Sequence, residues 1–408
     1  MEQIIFHIDV NSAFLSWTAA ENLKNGGAED LRLIPSIIGG DIEKRHGIVL
    51  AKSIPAKKYN IQTGEPIVNA LRKCPSLIIA PPNHALYSEY SHRLFQYLAD
   101  ICPDIEQVSI DECYMDFTSI AANYPSAYDA AHTIKDSIRK TFGFTVNIGI
   151  SDSKILAKMA SDFKKPDLVH TLYQSEIKEK MWPLSVSELY MCGKSSVQCL
   201  HKLGILTIGD LANADISILT SHLKSHGKLL WEYANGYDQS KVECTHSELK
   251  GVGNSITLVK DAQTAEDAYR TLLRLAESVG SRLRAQNRCA NMISVEIKYS
   301  TFQTVSHQIT LSAATNSTDF IYENAKALFD ELWNHKPVRL LGIRTSKLTN
   351  TDAPVQLSLF DYAVHSENEK SEKQKQLDQA VDSIRQKYGS SSITRGSLLH
   401  TNESFKKR

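Results

Sequence analysis

The stretch that decides the fold is Val108-Ser109-Ile110-Asp111-Glu112-Cys113-Tyr114-Met115-Asp116. Its apolar residues predict a buried strand, which two adjacent acids, Asp111 and Glu112, interrupt. Ionised carboxylates in such a strand are costly unless a positive group neutralises them. Because Mg²⁺ prefers carboxylate oxygens, a divalent cation is the usual neutralising partner.

A second apolar strand is predicted at residues 4–10, and it also carries an acid, Asp9. If the two strands pair, Asp9, Asp111 and Glu112 lie close together. Three carboxylates suffice to hold two metal ions for an in-line displacement at phosphorus. The alternative is that Asp9 only caps the helix predicted to start near Ser12. Each acid alone favours such an ordinary role, whereas the three together favour the metal site.

The composition limits the possible classes of protein. The chain has 408 residues, of which 42% are hydrophobic, so about two to four domains are expected. No apolar run approaches the roughly 18 residues that a membrane span needs, and the first residues lack the pattern of a signal peptide. The seven cysteines form no Cys-x-x-Cys pair, which favours a cytoplasmic protein without a zinc site. Since the formal net charge is zero, any surface that binds nucleic acid must be a local basic patch.

The order of the predicted elements indicates an α+β fold. Residues 1–10 and 77–168 alternate strands and helices, which predicts an antiparallel sheet covered by helices, with residues 11–76 inserted between them. Residues 169–235 are predicted to be helical. A helical hairpin around Gly193 could bind a DNA phosphate through its backbone N–H groups without recognising the DNA sequence.

The C-terminal half continues with a polar linker and a second α+β unit, at residues 236–243 and 244–348. The second unit has a mild excess of basic residues. If these lie together on the strand face, they suit a phosphate backbone, and if they are spread out, they form an ordinary surface.

The tail, residues 349–408, is polar but contains two apolar segments. The peptide at residues 356–360 is apolar within polar surroundings, which predicts docking into a groove of another protein. A short amphipathic helix, predicted to end at Gly389, could dock on the chain's own surface or on a partner. Its apolar residues are Leu377, Val381, Ile384 and Tyr388.

Several motifs follow one another along residues 1–350: Ile8–Phe14, Ser109–Glu112, Gly149–Ser151, Ala157-Lys158 and Lys165-Pro166. Their order and spacing resemble those of the Y-family, the translesion DNA polymerases, whose bacterial branches are UmuC-like and DinB-like. The resemblance implies a multidomain α+β right-hand polymerase. Its expected parts are an antiparallel palm sheet (1–10 and 77–168), small fingers (11–76), a helical thumb with a helix-hairpin-helix (169–235), a linker (236–243), an α+β little finger (244–348) and a tail (349–408).

The resemblance also implies roles for individual residues. Asp9, Asp111 and Glu112 would hold two Mg²⁺ ions, with the carbonyl of Val10 as a further ligand. One ion would help to activate the primer 3′-hydroxyl, and the other would bridge the incoming triphosphate.

Three further residues correspond to positions that contact the nucleotide in the family. Phe14 aligns with a steric gate that would crowd a ribose 2′-hydroxyl, although a core position on the first helix is an alternative. Lys165 aligns with a lysine that binds the triphosphate. Lys57 stands where many relatives carry arginine, so it keeps the charge but loses the bidentate geometry. Ile54 replaces a tyrosine that contacts the triphosphate in many relatives, so that this contact is not expected.

The apolar tail peptide resembles the bacterial sliding-clamp-binding peptide in its spacing and position. A clamp would supply processivity by tethering the chain to DNA. The expected partners are thus primer-template DNA, dNTP and the clamp, with the chain itself a monomer. The clamp-binding residues would be Gln356, Leu357, Ser358, Leu359 and Phe360.

The favoured function is a template-directed, error-prone DNA polymerase that acts on damaged template. The alternative is a catalytically silent relative that binds primer-template and clamp, but the three intact acids argue against it. A nucleotide cyclase or a nuclease could use the same acids. Neither explains the clamp-like peptide or the separate basic unit.

Overall fold

The structure, a computed structural model, describes residues 3–41, 47–245, 248–351, 368–389 and 391–398. The chain divides into two compact units, of which the first contains the described residues up to 245 and the second those from 248 onward. None of the helices in the described ranges combines the length and the apolar character that crossing a membrane requires.

The first unit begins with a strand and a helix close to their predicted positions. Its strands are β1 (Ile5–Val10), β2 (Ser36–Gly39), β3 (Val49–Lys52), β4 (Ile78–Ala80), β5 (Ile105–Gln107), β6 (Glu112–Asp116), β7 (Val146–Ser151) and β8 (Val169–Thr171). Its helices are α1 (Ala13–Lys24), α2 (Ile54–Lys57), α3 (Ile67–Lys73), α4 (His84–Ile101), α5 (Ala127–Phe142), α6 (Lys154–Asp162), α7 (Ile177–Lys180), α8 (Lys194–Lys202), α9 (Ile208–Ala212), α10 (Ile216–Leu223) and α11 (Ser225–Ala234).

The main sheet of the first unit has five strands in the order β5-β6-β1-β7-β8. The central strand β1 pairs antiparallel with β6 and with β7, and β8 joins the edge in parallel to β7. Phe6, Ile8 and Val10 of β1 pack into the core that α1, α4 and α5 cover. Because side chains alternate along a strand, His7 and Asp9 face the opposite side, where α6 lies.

The predicted strand at residues 108–116 is shorter than expected, since only its second half is a strand. Residues 108–111 instead form the turn that joins β5 to β6. Ser109 accounts for the difference because its hydroxyl lies 2.7 Å from the carboxylate of Asp111 and accepts a hydrogen bond from the Asp111 backbone. Such local side-chain bonds compete with sheet pairing. Asp111 therefore lies in a turn and Glu112 begins β6.

A small three-stranded sheet occupies the inserted segment, in the order β3-β2-β4. β4 follows the predicted boundary at residue 77, yet it pairs in parallel with β2. Likewise, α1 lies in the predicted insertion, but its Trp17 is fully buried in the core of the main sheet. The two predicted parts therefore share both a sheet and a core.

Helices make up most of residues 170–235, as predicted, around a separate apolar core. Gly193 is the N-cap of α8, and no side chain caps the start of that helix. Gly204 forms the tight turn after α8 with a positive φ of 78°, which favours glycine. The predicted contact of this hairpin with a DNA phosphate stays a prediction.

The second unit consists of a four-stranded antiparallel sheet, in the order β11-β10-β12-β9, with two long helices on one face. Its strands are β9 (Gly251–Ala262), β10 (Arg288–Tyr299), β11 (Thr304–Thr315) and β12 (Val338–Asn350). Its helices are α12 (Ala265–Ala285), α13 (Thr318–Leu332) and α14 (Asn368–Tyr388). The second predicted α+β unit therefore has the expected fold.

The tail helix α14 docks on the second unit, but not through the predicted apolar residues. Leu377, Ile384 and Tyr388 are exposed and Val381 is half-buried, whereas Asp378 is only 4% exposed. Arg284 of α12 contacts Asp378 at 3.3 Å and Asp382 at 2.6 Å. The helix and its end at Gly389, where φ is 95°, are thus confirmed, while the docked face is charged rather than apolar.

We expect Asp378→Ala to lower the free energy of unfolding of the second unit by about 2 kcal/mol, because Arg284 loses its buried partner, although it keeps Asp382, and the backbone of Thr318 loses its acceptor. The Asp378 carboxylate also accepts a hydrogen bond from the backbone of Thr318 at the start of α13, at 3.1 Å. Denaturant unfolding would measure the loss, and limited proteolysis would detect the release of α14. Gln379→Ala is the matched control on the exposed side of the same helix. Equal effects of the two changes would contradict docking through Asp378.

Candidate functional site

The three predicted acids lie at the same end of the main sheet. Asp9 stands opposite Glu112 in the register of β1 and β6. The backbone N–H of Val10 donates a 3.0 Å hydrogen bond to the carbonyl of Asp111, which fixes the turn against β1. The pairing of the two strands is therefore as predicted. Asp9 does not cap α1, whose N-cap is Ser12 and whose start has no side-chain cap.

Two lysines pair with two of the three acids, Asp9 and Glu112, in this structure. The Nζ of Lys165 contacts the carboxylate of Asp9 and lies 2.8 Å from Asp162. The Nζ of Lys158, on α6, lies 3.0 Å from Glu112 and 3.3 Å from Asp162. Because carboxylates this close to one another repel, ammonium groups at these positions lower the electrostatic cost of bringing them together.

The neighbouring acids Asp111 and Glu112 differ in their pKa. The imidazole of His7, whose Nε2 lies 3.4 Å from the Glu112 carboxylate, lowers the pKa of Glu112 to about 2, and Lys158 adds to this effect. Burial instead raises the pKa of Asp111, against the hydrogen bond from Ser109. Burial also lowers the pKa of His7 itself, which is almost fully buried. Glu112 is thus held as a carboxylate, whereas the ionised form of Asp111 is costly without a positive partner.

The acids provide the oxygen ligands that a hard divalent cation prefers. Among the described residues, however, no three carboxylate, imidazole or thiolate groups are already arranged as a closed ligand set. Lys158 and Lys165 instead hold two of the acids, Glu112 and Asp9, in ion pairs. The donor chemistry fits Mg²⁺, and the costly ionisation of the half-buried Asp111 would be relieved by a cation beside it.

A pocket of about 210 Å³ opens beside the acids, between α1 and β3. Phe14 lines it together with Asp111, as the resemblance implies. The Phe14 ring stacks on Tyr87 with ring centroids 4.4 Å apart, and it packs at the edge of the core. Phe14 therefore both packs at the edge of the core and lines the pocket, while its role as a steric gate stays a prediction.

The pocket also contains Lys52 and Thr63, which sequence reasoning missed. The Nζ of Lys52 donates a 2.6 Å hydrogen bond to the carbonyl of Ile61, and burial lowers the pKa of this lysine. A signal was present, because Lys52 lies on the same face of β3 as Leu50, which also lines the pocket.

Lys57 and Ile54 lie outside the residues that line this pocket, and both are exposed. The contact between Lys57 and the triphosphate stays a prediction. The five clamp-binding residues, 356–360, lie outside the described residues.

Comparisons with known proteins place these features in a family. The sequence model of the impB/mucB/samB family matches residues 8–162, and that of the family's C-terminal domain matches residues 249–359. A DNA polymerase IV of Clostridium acetobutylicum is 47% identical over 99% of this chain and 100% of that protein. A DNA polymerase IV of Acetivibrio thermocellus is 37% identical over 98% of both chains. Among solved structures, a Y-family DNA polymerase chimera has a TM-score of 0.75 at 22% identity, covering 85% of this chain and 99% of the other.

Proposed function

This chain belongs to the impB/mucB/samB family, and from that premise we propose that it is a template-directed DNA polymerase for error-prone synthesis across damaged template. The resemblance to Y-family polymerases and the α+β right-hand fold are thereby confirmed. The substrates of such an enzyme are primer-template DNA and dNTP, and its reaction depends on a divalent metal.

One observation carries the proposal. The register of β1 and β6 sets Asp9 opposite Glu112, and a backbone hydrogen bond joins Asp111 to Val10 at the end of β1. A pocket opens beside Asp111. This arrangement supports nucleotidyl transfer, because Asp111 belongs both to the acids and to the lining of the pocket.

Asp9, Asp111, Glu112 and the carbonyl of Val10 are the residues that we assign to two Mg²⁺ ions. When bound, two such ions would stabilise the charge that develops on the attacking and leaving oxygens. The protein holds Glu112 ionised through His7 and Lys158 and keeps Asp111 partly buried in its turn.

Lys165 and Phe14 are assigned to the nucleotide. Lys165 is a partly exposed ammonium beside Asp9, so it can exchange a carboxylate for a phosphate oxygen. The Phe14 ring is fixed by stacking on Tyr87, which suits a wall that excludes a ribose 2′-hydroxyl.

We also retain three proposals that rest on the sequence. Residues 356–360 would bind the bacterial sliding clamp, and the chain would act as a monomer. A cytoplasmic location accords with its seven cysteines, all of which are free thiols.

Primer extension tests the function. With Mg²⁺ and all four dNTPs, we expect the chain to extend a primer on an undamaged template and to insert a nucleotide opposite an abasic site. A chain that binds primer-template but extends neither, even with the clamp added, would instead be the silent accessory protein. A binding measurement on the same DNA distinguishes that result from an inactive sample in which the protein is unfolded.

A further inference from the structure

A buried asparagine stands on the other side of Asp9 from the acids already described. Asn147 of β7 is fully buried and lies opposite Asp9 in the register of β1 and β7. Neither the family resemblance nor the proposed chemistry assigns it a role. A buried amide is costly unless both its donor and its acceptor groups find partners, so its contacts indicate what it holds in place.

The amide nitrogen of Asn147 holds the segment that leaves α6. Its Nδ2 donates hydrogen bonds to the carbonyl of Ser161 at 3.1 Å and to the carbonyl of Lys164 at 2.7 Å. The Ser161 carbonyl lies in the last turn of α6, where carbonyl groups lack partners within the helix. Asn147 therefore determines how the chain continues from α6 into Lys165.

The amide oxygen of Asn147 binds the same segment on the C-terminal side of Lys165. It accepts hydrogen bonds from the backbone of Leu168 at 3.3 Å and from Nδ2 of Asn11 at 3.1 Å. Asn11 in turn accepts a 2.9 Å hydrogen bond from the backbone of Asp167, and the Asp167 carboxylate pairs with Arg139 at 2.8 Å. All four hydrogen-bonding positions of the Asn147 amide are thus used, on both sides of Lys165.

We infer that Asn147 is a positioning residue, which holds the backbone of residues 164–168 so that the Lys165 ammonium is placed for the triphosphate of the incoming nucleotide. The inference rests on the proposed polymerase function. The Asn147 amide acts indirectly, because it is enclosed by protein groups and does not line the pocket. The side chain must both donate and accept, which neither aspartate nor alanine can do.

Steady-state incorporation of a single nucleotide tests this assignment. For Asn147→Ala we expect the KM for dNTP to rise about tenfold while kcat stays within about twofold, because binding geometry is lost and the acids are untouched. Lys165→Ala should raise the KM about a hundredfold. Since Asn147 acts through Lys165, the double variant should be no worse than Lys165→Ala alone.

Asn235→Ala is the matched control. The Asn235 amide also donates to two backbone carbonyls, those of Ala212 at 3.2 Å and Trp231 at 3.0 Å, in the helical part of the first unit. It should lower the melting temperature much as Asn147→Ala does, with the KM for dNTP unchanged. If Asn147→Ala is too unstable, Asn147→Ser keeps one donor and should raise the KM about threefold.

The possible results separate the inference from the proposed function. Additive effects of Asn147→Ala and Lys165→Ala, or a fall in kcat without a change in KM, would mean that Asn147 has only a structural role. An active wild type whose Asn147 variants keep the wild-type KM would overturn the inference alone. A wild type that extends no primer would overturn the polymerase function itself.

Discussion

Asp111→Asn is expected to lower the rate of nucleotide incorporation by about 10³-fold or more, while the protein remains as stable as the wild type. The amide has the size of the carboxylate and can still accept the hydrogen bond from Ser109. It carries no charge, however, and so cannot serve as an anionic metal ligand. Single-turnover incorporation at saturating dNTP would measure the rate, and thermal unfolding would measure the stability.

The sign of the stability change follows from the environment of Asp111. Burial raises the pKa of this carboxyl in the folded protein, so at neutral pH its ionised form costs folding free energy. A neutral amide removes that cost, and the melting temperature should stay the same or rise. Loss of activity could then not be attributed to unfolding.

Asp116→Asn is the control for this change. Asp116 lies at the other end of the same strand, where its carboxylate accepts hydrogen bonds from Gln3 and Thr118. We expect full activity from this variant. If Asp111→Asn and Asp116→Asn retained the same activity, the assignment of Asp111 to the metal site would be wrong.

Phe14→Ala is expected to raise the preference for ribonucleotides, measured as the ratio of kcat/KM for rNTP to that for dNTP, by about 10²-fold. The Phe14 ring forms part of the pocket wall, and its stacking on Tyr87 prevents it from moving aside. Without the ring, a ribose 2′-hydroxyl would meet open space. The loss of packing should also lower the free energy of unfolding by about 2 kcal/mol.

Tyr87→Phe is the control for this change. It keeps the ring beneath Phe14 but removes the hydroxyl, which lies 3.2 Å from Thr18. Discrimination between the two nucleotides should not change. If Phe14→Ala lowered kcat/KM equally for rNTP and dNTP, Phe14 would be only a core residue of the first helix.

The meeting of the acids was predictable from the sequence, because the motifs that contain them also have the apolar pattern of paired strands. The acids of β1 and β6 meet because both strands are apolar, and apolar strands in one core pair with each other. The turn at residues 108–111 was not predictable from the apolar pattern. Ser109 competes with the sheet through a contact to Asp111, and such a local contact overrides the pattern.

The tail helix α14 shows a second limit of prediction from the sequence. The spacing of its apolar residues predicted α14 and its end, but the buried residue is Asp378, which a pattern of hydrophobicity places in water. Its burial depends on Arg284, which is far away in the sequence. Asn147 is a similar case, since its partners come from three different segments. Pairings between distant polar groups leave no periodic signal.

With Lys165 and Asp9 in their proposed roles, the ion pair between them would couple the binding of the nucleotide to the binding of the metal. A triphosphate that attracts the Lys165 ammonium leaves Asp9 without its counter-charge, and a divalent cation then becomes more favourable beside Asp9. By thermodynamic linkage, a cation that binds first must release Lys165 and favour the triphosphate by the same factor. Each ligand would therefore raise the affinity of the site for the other, and the total binding free energy of the two would not depend on which binds first.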